Sequence, residues 1–200
     1  MGAQIGYYFS LNSPWTYLGS ARFADMVKRH RATVTVMPVD FGQIFAQSGG
    51  LPLAKRAPQR QAYRLVELER WRDFLDVPLN LRPKFFPAND NLAGRLVVAA
   101  READYDAMSL AHAVLRAVWA EERDIADPET LRDIVRVRGL EPAPLFAAAE
   151  TDKIKAAYQA GTDTAIAAQV FGAPSYVLDG VIFWGQDRLE FLDRALSRRD

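Results

Sequence analysis

Apolar residues take every second position at the start of the chain. Ile5, Tyr7 and Phe9 alternate with Gly6, Tyr8 and Ser10, a period of two that predicts a β-strand. The period changes after Ser13-Pro14. Trp15, Leu18, Ala21, Phe23 and Met26 then fall on one side of a helix running to about His30, and Lys28-Arg29-His30-Arg31 suits the negative end of its dipole. Thr33 to Val39 reads as a second strand, which Pro38 either ends or places at a sheet edge. Strand, helix and strand at this spacing make a βαβ unit with the usual right-handed crossover.

The middle of the chain carries helical periodicity. Residues 42–60 are less regular, with a turn at Gly49-Gly50-Leu51-Pro52 and a break at Ala57-Pro58. A helix is expected over 61–76 from Tyr63, Val66, Leu68, Trp71, Phe74 and Leu75, stopped by Val77-Pro78. Leu81 to Asn89, rich in proline and aromatics, reads as an extended connection. Further helices are expected over 92–103, 107–121, 127–139, 142–150 and 152–170, the last with a point of division at Gly161. Two short apolar runs, Tyr176-Val177-Leu178 and Val181 to Trp184, flank Asp179-Gly180, a strong hairpin signal. A last helix starts near Asp187 or Arg188 and carries Leu189, Leu192 and Leu196.

Composition narrows the function. The 200 residues are half hydrophobic, enough for one domain or a small core with a helical insertion. Lys+Arg and Asp+Glu are equal at 25 each, so the broad electrostatic case for nucleic acid is missing. No run of about 18 apolar residues is present to span a membrane, and Met1-Gly2-Ala3-Gln4 opens no signal segment, so a cytoplasmic protein is expected. There is no cysteine, which excludes disulfides, cysteine nucleophiles, thiolate zinc sites and dithiol exchange. His30 and His112 lie far apart and form no ligand motif, so no metal is expected.

Two local features carry chemistry. Ser13 is a favoured helix N-cap, and Pro14 suits the first helical position because it has no N–H to leave unpaired. Such a helix start stabilises an anion, whether phosphate, carboxylate or thiolate. From this stretch alone a bare cap and an anion site both stand. Near the other end lie Phe171-Gly172-Ala173-Pro174-Ser175 and Trp184-Gly185-Gln186-Asp187-Arg188.

Ser-Pro-aromatic-x-Tyr-Leu near the start, with Phe-Gly-Ala-Pro-Ser and Trp-Gly-Gln-Asp-Arg near the end, resembles the 2-hydroxychromene-2-carboxylate isomerase family, DsbA-like proteins related to kappa-class glutathione transferases. The likeness covers nearly the whole chain. It implies an α/β, thioredoxin-like (DsbA/kappa-type) fold with an inserted all-helical subdomain. One domain would span 1–200, with a core of about 1–60 and 160–200 and the insertion at about 61–159.

The resemblance implies glutathione as cofactor and a small aromatic-derived acid as substrate. A cis Ala173-Pro174 loop would lie beside the Ser13 helix start, and the backbone of Ala173 would pair with the tripeptide. Gln186 and Asp187 would hold its γ-glutamyl end, although Asp187 also reads as a helix cap. The family's glutathione-binding lysine falls on Arg60 in Pro58-Gln59-Arg60, in a basic stretch that otherwise reads as solvated surface. Phe85, Phe86 and Asn89 match a stretch bordering the cleft, Asn89 either touching substrate or capping the next helix. Ser13 would donate to the sulfur. Ser10, where the family often has aspartate, and Asn12 depart from its pattern. A homodimer is also implied. The functions to separate are an isomerase, a kappa-like transferase and a non-catalytic thioredoxin-fold binding protein.

Overall fold

The computed structural model describes residues 2–199. Its sheet is organised around strand β1 (Gln4–Phe9). β1 pairs in parallel with β2 (Thr33–Pro38), from Gln4 opposite Thr33 to Phe9 opposite Pro38. On its other side it pairs antiparallel with β3 (Ser175–Leu178), Tyr7 facing Tyr176. β3 turns back into β4 (Val181–Trp184), giving the order β2-β1-β3-β4. β2 is therefore an edge strand, and it ends at Pro38, which lacks the N–H to continue a ladder. The turn at Asp179-Gly180 places both residues at positive φ, 52° and 78°, a conformation that suits glycine and is tolerated by aspartate.

Helices cover both faces of the sheet, which explains why β1 is apolar on both sides. Ile5, Tyr7 and Phe9 enter the main core with Phe23 of α1 (Pro14–His30) and Tyr176. The ring of Tyr7 lies 4.4 Å from Phe9, 4.8 Å from Phe23 and 5.3 Å from Tyr176. Tyr8, with Met37 and Val39, joins a second cluster containing Ile44, Ala165 and Val170. The connection from β2 to β3 supplies the helices α2 (Phe41–Ser48), α3 (Pro58–Leu75), α4 (Asn91–Glu102), α5 (Ala107–Trp119), α6 (Pro128–Val137), α7 (Pro142–Ala149) and α8 (Asp152–Ala167). α9 (Leu189–Ser197) closes the chain against α1.

Three elements differ from the sequence expectation. The stretch after residue 40, expected to be irregular, contains α2. Asp40 caps it by accepting from Gly42 N–H at 2.7 Å, and Gly49 ends it at a φ of 74°. Ala57-Pro58 begins α3 instead of breaking the chain, since proline at the first helical position loses no hydrogen bond. α8 runs through Gly161 undivided. The helix is held there by packing, because Gly161 is buried with Met37 and Val39 3.9 Å from where a Cβ would stand. Next to it Thr162 Oγ1 accepts from Asp40 N–H at 3.1 Å, tying α8 to the start of α2.

Candidate functional site

β1 ends against a tight turn that delivers the chain to α1. Ser13 N–H donates to Ser10 C=O at 3.1 Å, and Asn12 N–H to Ser10 Oγ at 3.1 Å. Ser13 has extended backbone angles (φ −85°, ψ 119°), as an N-cap requires. Its Oγ accepts from Thr16 N–H at 3.2 Å and donates to Ala173 C=O at 3.4 Å. The second contact is long for a hydroxyl donor. The Ser13 proton is therefore weakly held and available to a better acceptor.

Asn12 clamps the turn to the extended connection before α4. Its Nδ2 donates to Ala88 C=O at 2.8 Å and its Oδ1 accepts from Ala88 N–H at 3.0 Å. Ser10 Oγ donates to Asp90 Oδ2 at 3.1 Å. Burial pushes the Asp90 carboxyl above its usual range, and the hydrogen bonds from Ser10 and Asn12 oppose that rise. A carboxylate thus stands beside this turn, reached from 80 residues away, although the chain has serine at position 10.

The Ala173-Pro174 peptide is cis, as is Phe86-Pro87. Pro174 C=O accepts from Gly185 N–H at 2.9 Å, which fixes the loop carrying Gln186 and Asp187. Gln186 is only 2% exposed, and its Oε1 accepts from Arg22 Nη1 at 2.6 Å. Arginine only donates, so the amide orientation is determined: the Nε2 protons are what Gln186 offers the cavity. Asp187 is exposed and accepts from Arg188 at 2.7 Å.

These elements border a cavity of about 1080 Å³, just above the roughly 300–1,000 Å³ usual for ligand sites. Ser13, Arg60, Ala173, Gln186 and Asp187 all line it. Pro174 is buried behind Ala173. Asn89 stays off the wall and its Oδ1 accepts from Asn91 N–H at 3.1 Å, at the start of α4. Phe86 both lines the cavity and packs on Trp119 at 4.9 Å, so this ring borders the cleft and joins the core at once.

Sequence reasoning missed two cavity arginines. Arg64 lies one turn beyond Arg60 on α3, while Arg56 precedes that helix in extended backbone and reaches the cavity from the connection before it. Arg64 lies between aromatic rings, its guanidinium carbon 5.3 Å from the Phe86 centroid and 5.6 Å from that of Trp119. Burial, and next the charge of Arg56, lowers its pKa to about 10, which still leaves it protonated at neutral pH. Arg56 is lowered in the same sense, by burial and by Arg60. Among the described residues no group of His, Asp or Glu is placed to hold a metal ion, and no helix is long and apolar enough to cross a membrane.

The profile of the DSBA-like thioredoxin domain matches residues 4–197. The chain belongs to the DSBA-like family. Within it, the chain is 28% identical over 197 residues to a 2-hydroxychromene-2-carboxylate isomerase of Sphingobium xenophagum, covering 98% of this chain and 99% of that protein. It is 28% identical over 199 residues to the Pseudomonas putida protein of the same name, covering 97% and 94%. It is 22% identical over 207 residues to glutathione S-transferase kappa 1 of Caenorhabditis elegans, covering 98% and 91%. The solved structure of a 2-hydroxychromene-2-carboxylate isomerase superposes with a TM-score of 0.81 at 24% identity, over 98% of this chain and 95% of that one. The DsbA-like thioredoxin fold is therefore common ground, and this cysteine-free chain occupies it without the residues for dithiol exchange.

Proposed function

We propose that this protein is a glutathione-dependent isomerase of 2-hydroxychromene-2-carboxylate or a related aromatic-derived acid. The observation that carries the reading is the Ser13 hydroxyl. It sits at the N-terminus of α1, loosely bonded to Ala173 C=O at 3.4 Å, on the wall of a cavity shared with Arg60, Gln186 and Asp187. The full-length relatives named as isomerases support the reaction class. The kappa transferase among the relatives supports glutathione and favours a second reading, transfer of glutathione to an electrophile. A cytoplasmic homodimer belongs to the same proposal. So does one domain with a core of about 1–60 and 160–200 and a helical insertion between.

The donor set fits the tripeptide. The Gln186 amide protons suit a carboxylate, the exposed Asp187 carboxylate suits an ammonium group, and Arg60 suits a second carboxylate. Bound glutathione would supply a thiolate that adds reversibly to a conjugated carbon and departs unchanged once the ring has opened and the bond has rotated. The chain's part is to keep that sulfur ionised. Ser13 Oγ turns its proton from Ala173 C=O to the sulfur, and the positive end of α1 adds to the same stabilisation. Both lower the thiol pKa.

The test is the thiolate absorbance of bound glutathione against pH, with turnover, in wild type and Ser13→Ala. Loss of a hydrogen bond to a charged group is worth about 1.5–3 kcal/mol, so turnover should fall about 10- to 150-fold and the thiol should titrate at higher pH. The lost cap should cost about 1 kcal/mol of stability. Unchanged titration and turnover would reduce Ser13 to a cap. Glutathione recovered unconsumed identifies the isomerase, and stoichiometric consumption identifies the transferase.

A further inference from the structure

The α3 wall of the cavity holds a cation, Arg64, with no ion-pair partner among the described residues. Arg64 Nη2 is buried and has no hydrogen-bond partner among the described residues. The acidic side chains that line the cavity are engaged elsewhere. Glu67 accepts from Arg70 at 2.6 Å, and Asp187 from Arg188 at 2.7 Å. Two aromatic faces, Phe86 and Trp119, stand in for a counter-ion and fix the guanidinium plane. Leaving Arg64 Nη2 unpaired is unfavourable, and a ligand oxygen that reached it would relieve the cost.

We propose that Arg64 anchors the carboxylate of the aromatic acid, holding it apart from glutathione within one cavity. This rests on the isomerase reading for the identity of the acid and names the residue that selects it. Arg60 and Arg64 are one turn apart on α3 but differently placed, Arg60 exposed and Arg64 half-buried. The exposed cation suits the flexible tripeptide. The inner one lies against the rings of Phe86 and the fully buried Trp119, and Phe86 lines the cavity together with Trp15 and Trp71. That surface suits a planar unsaturated acid, whose ring stacks while its carboxylate meets a planar guanidinium fork. A neutral analogue of the same shape would leave Arg64 unpaired, so the site discriminates by charge as well as by shape.

Calorimetric titration with 2-naphthoate and its neutral counterpart, 2-naphthamide, tests this without requiring turnover. Wild type should prefer the acid by about 10- to 150-fold, the worth of a charge-assisted hydrogen bond. Arg64→Gln should bring the two ligands to within about 3-fold of each other while binding glutathione as wild type does. Arg64→Lys, which keeps the charge but not the fork, should retain part of the preference, and it carries the test if Arg64→Gln does not fold. Full acid preference in either folded variant overturns the proposal. A loss of glutathione affinity with acid preference intact also overturns it and gives Arg64 to the tripeptide. Acid preference erased by Arg64→Gln in a protein that isomerises nothing upholds the anchor and strikes only the reaction.

Discussion

Where β1 turns into α1, the polar side chains of the cavity floor are satisfied by the protein. Asn12 clamps Ala88, Ser10 meets Asp90, and Ser13 bridges Thr16 and Ala173. Along α3 the opposite holds: Arg64 ends in a buried donor with no acceptor among the described residues. The floor is set by folding, with each of these three side chains already bonded to the protein and only the long Ser13 contact left to exchange for a better acceptor. The α3 wall is completed by what binds. An unpaired buried donor costs about 1–3 kcal/mol, a deficit that a ligand carboxylate removes only while it is present. Orientation of the chemistry thus belongs to the floor, and selection of the substrate to the wall.

The strongest way to break this contrast is to truncate below the floor and on the wall and compare stabilities. Phe9 is fully buried and stacks on Tyr7 at 4.4 Å. Phe9→Ala should cost about 3–5 kcal/mol in urea unfolding. Arg64→Gln should change stability by less than about 1 kcal/mol in either direction, since removing an unpaired donor is offset by losing the guanidinium's contacts with Phe86 and Trp119. Equal losses would make Arg64 part of the scaffold and end the distinction.

A smaller effect sharpens the division within the wall itself. Arg60 is exposed, and an exposed ion pair is worth roughly 1 kcal/mol or less. Arg60→Gln should therefore weaken glutathione binding by about 5-fold at most, with Arg60→Lys restoring it and the naphthoate preference unmoved. If Arg60→Gln instead abolishes the naphthoate preference, the two arginines do not divide the ligands between them.

The smallest effect probes the floor through pH. Burial raises the Asp90 carboxyl from its ordinary value of 3.8. The folded state then holds its proton over a range where the unfolded chain has lost it. The stability that this proton contributes is fully present below about pH 3.8 and is lost as pH rises through the raised folded value. Asp90→Asn should remove that downward slope. The measurement is the urea midpoint of both proteins from pH 4 to 7, and a difference that does not vary with pH would show that Asp90 is not the group responsible.

Much of this architecture is local in origin. The alternation at Ile5, Tyr7 and Phe9, the Ser13-Pro14 start, the Asp179-Gly180 turn and the spacing of Leu189, Leu192 and Leu196 each encode an element through contacts within a few residues. The signals for α2 were equally local, an Asp40 cap and a Gly49 stop around eight residues. They were obscured because a short helix shows barely two turns of periodicity. Pro58 was legible only as a breaker, because proline at the first helical position and proline ending a segment look alike without the following hydrogen bonds.

Motif likeness brought Ser13, Arg60, Ala173, Gln186 and Asp187 into view, but a linear chain carries no distances between them. Only the tertiary structure set the Ser13 hydroxyl against Ala173, 160 residues away, and turned the Gln186 oxygen toward Arg22, leaving its protons for the cavity. It alone decided that Asp90 would stand beside Ser10 and that Asn89 would stay off the cavity wall. It alone left Arg64 Nη2 without an acceptor among the described residues, with the guanidinium between two rings. Secondary structure follows from neighbours within one or two turns. Burial, pairing and the absence of a partner are set by groups that meet only after the chain has closed on itself.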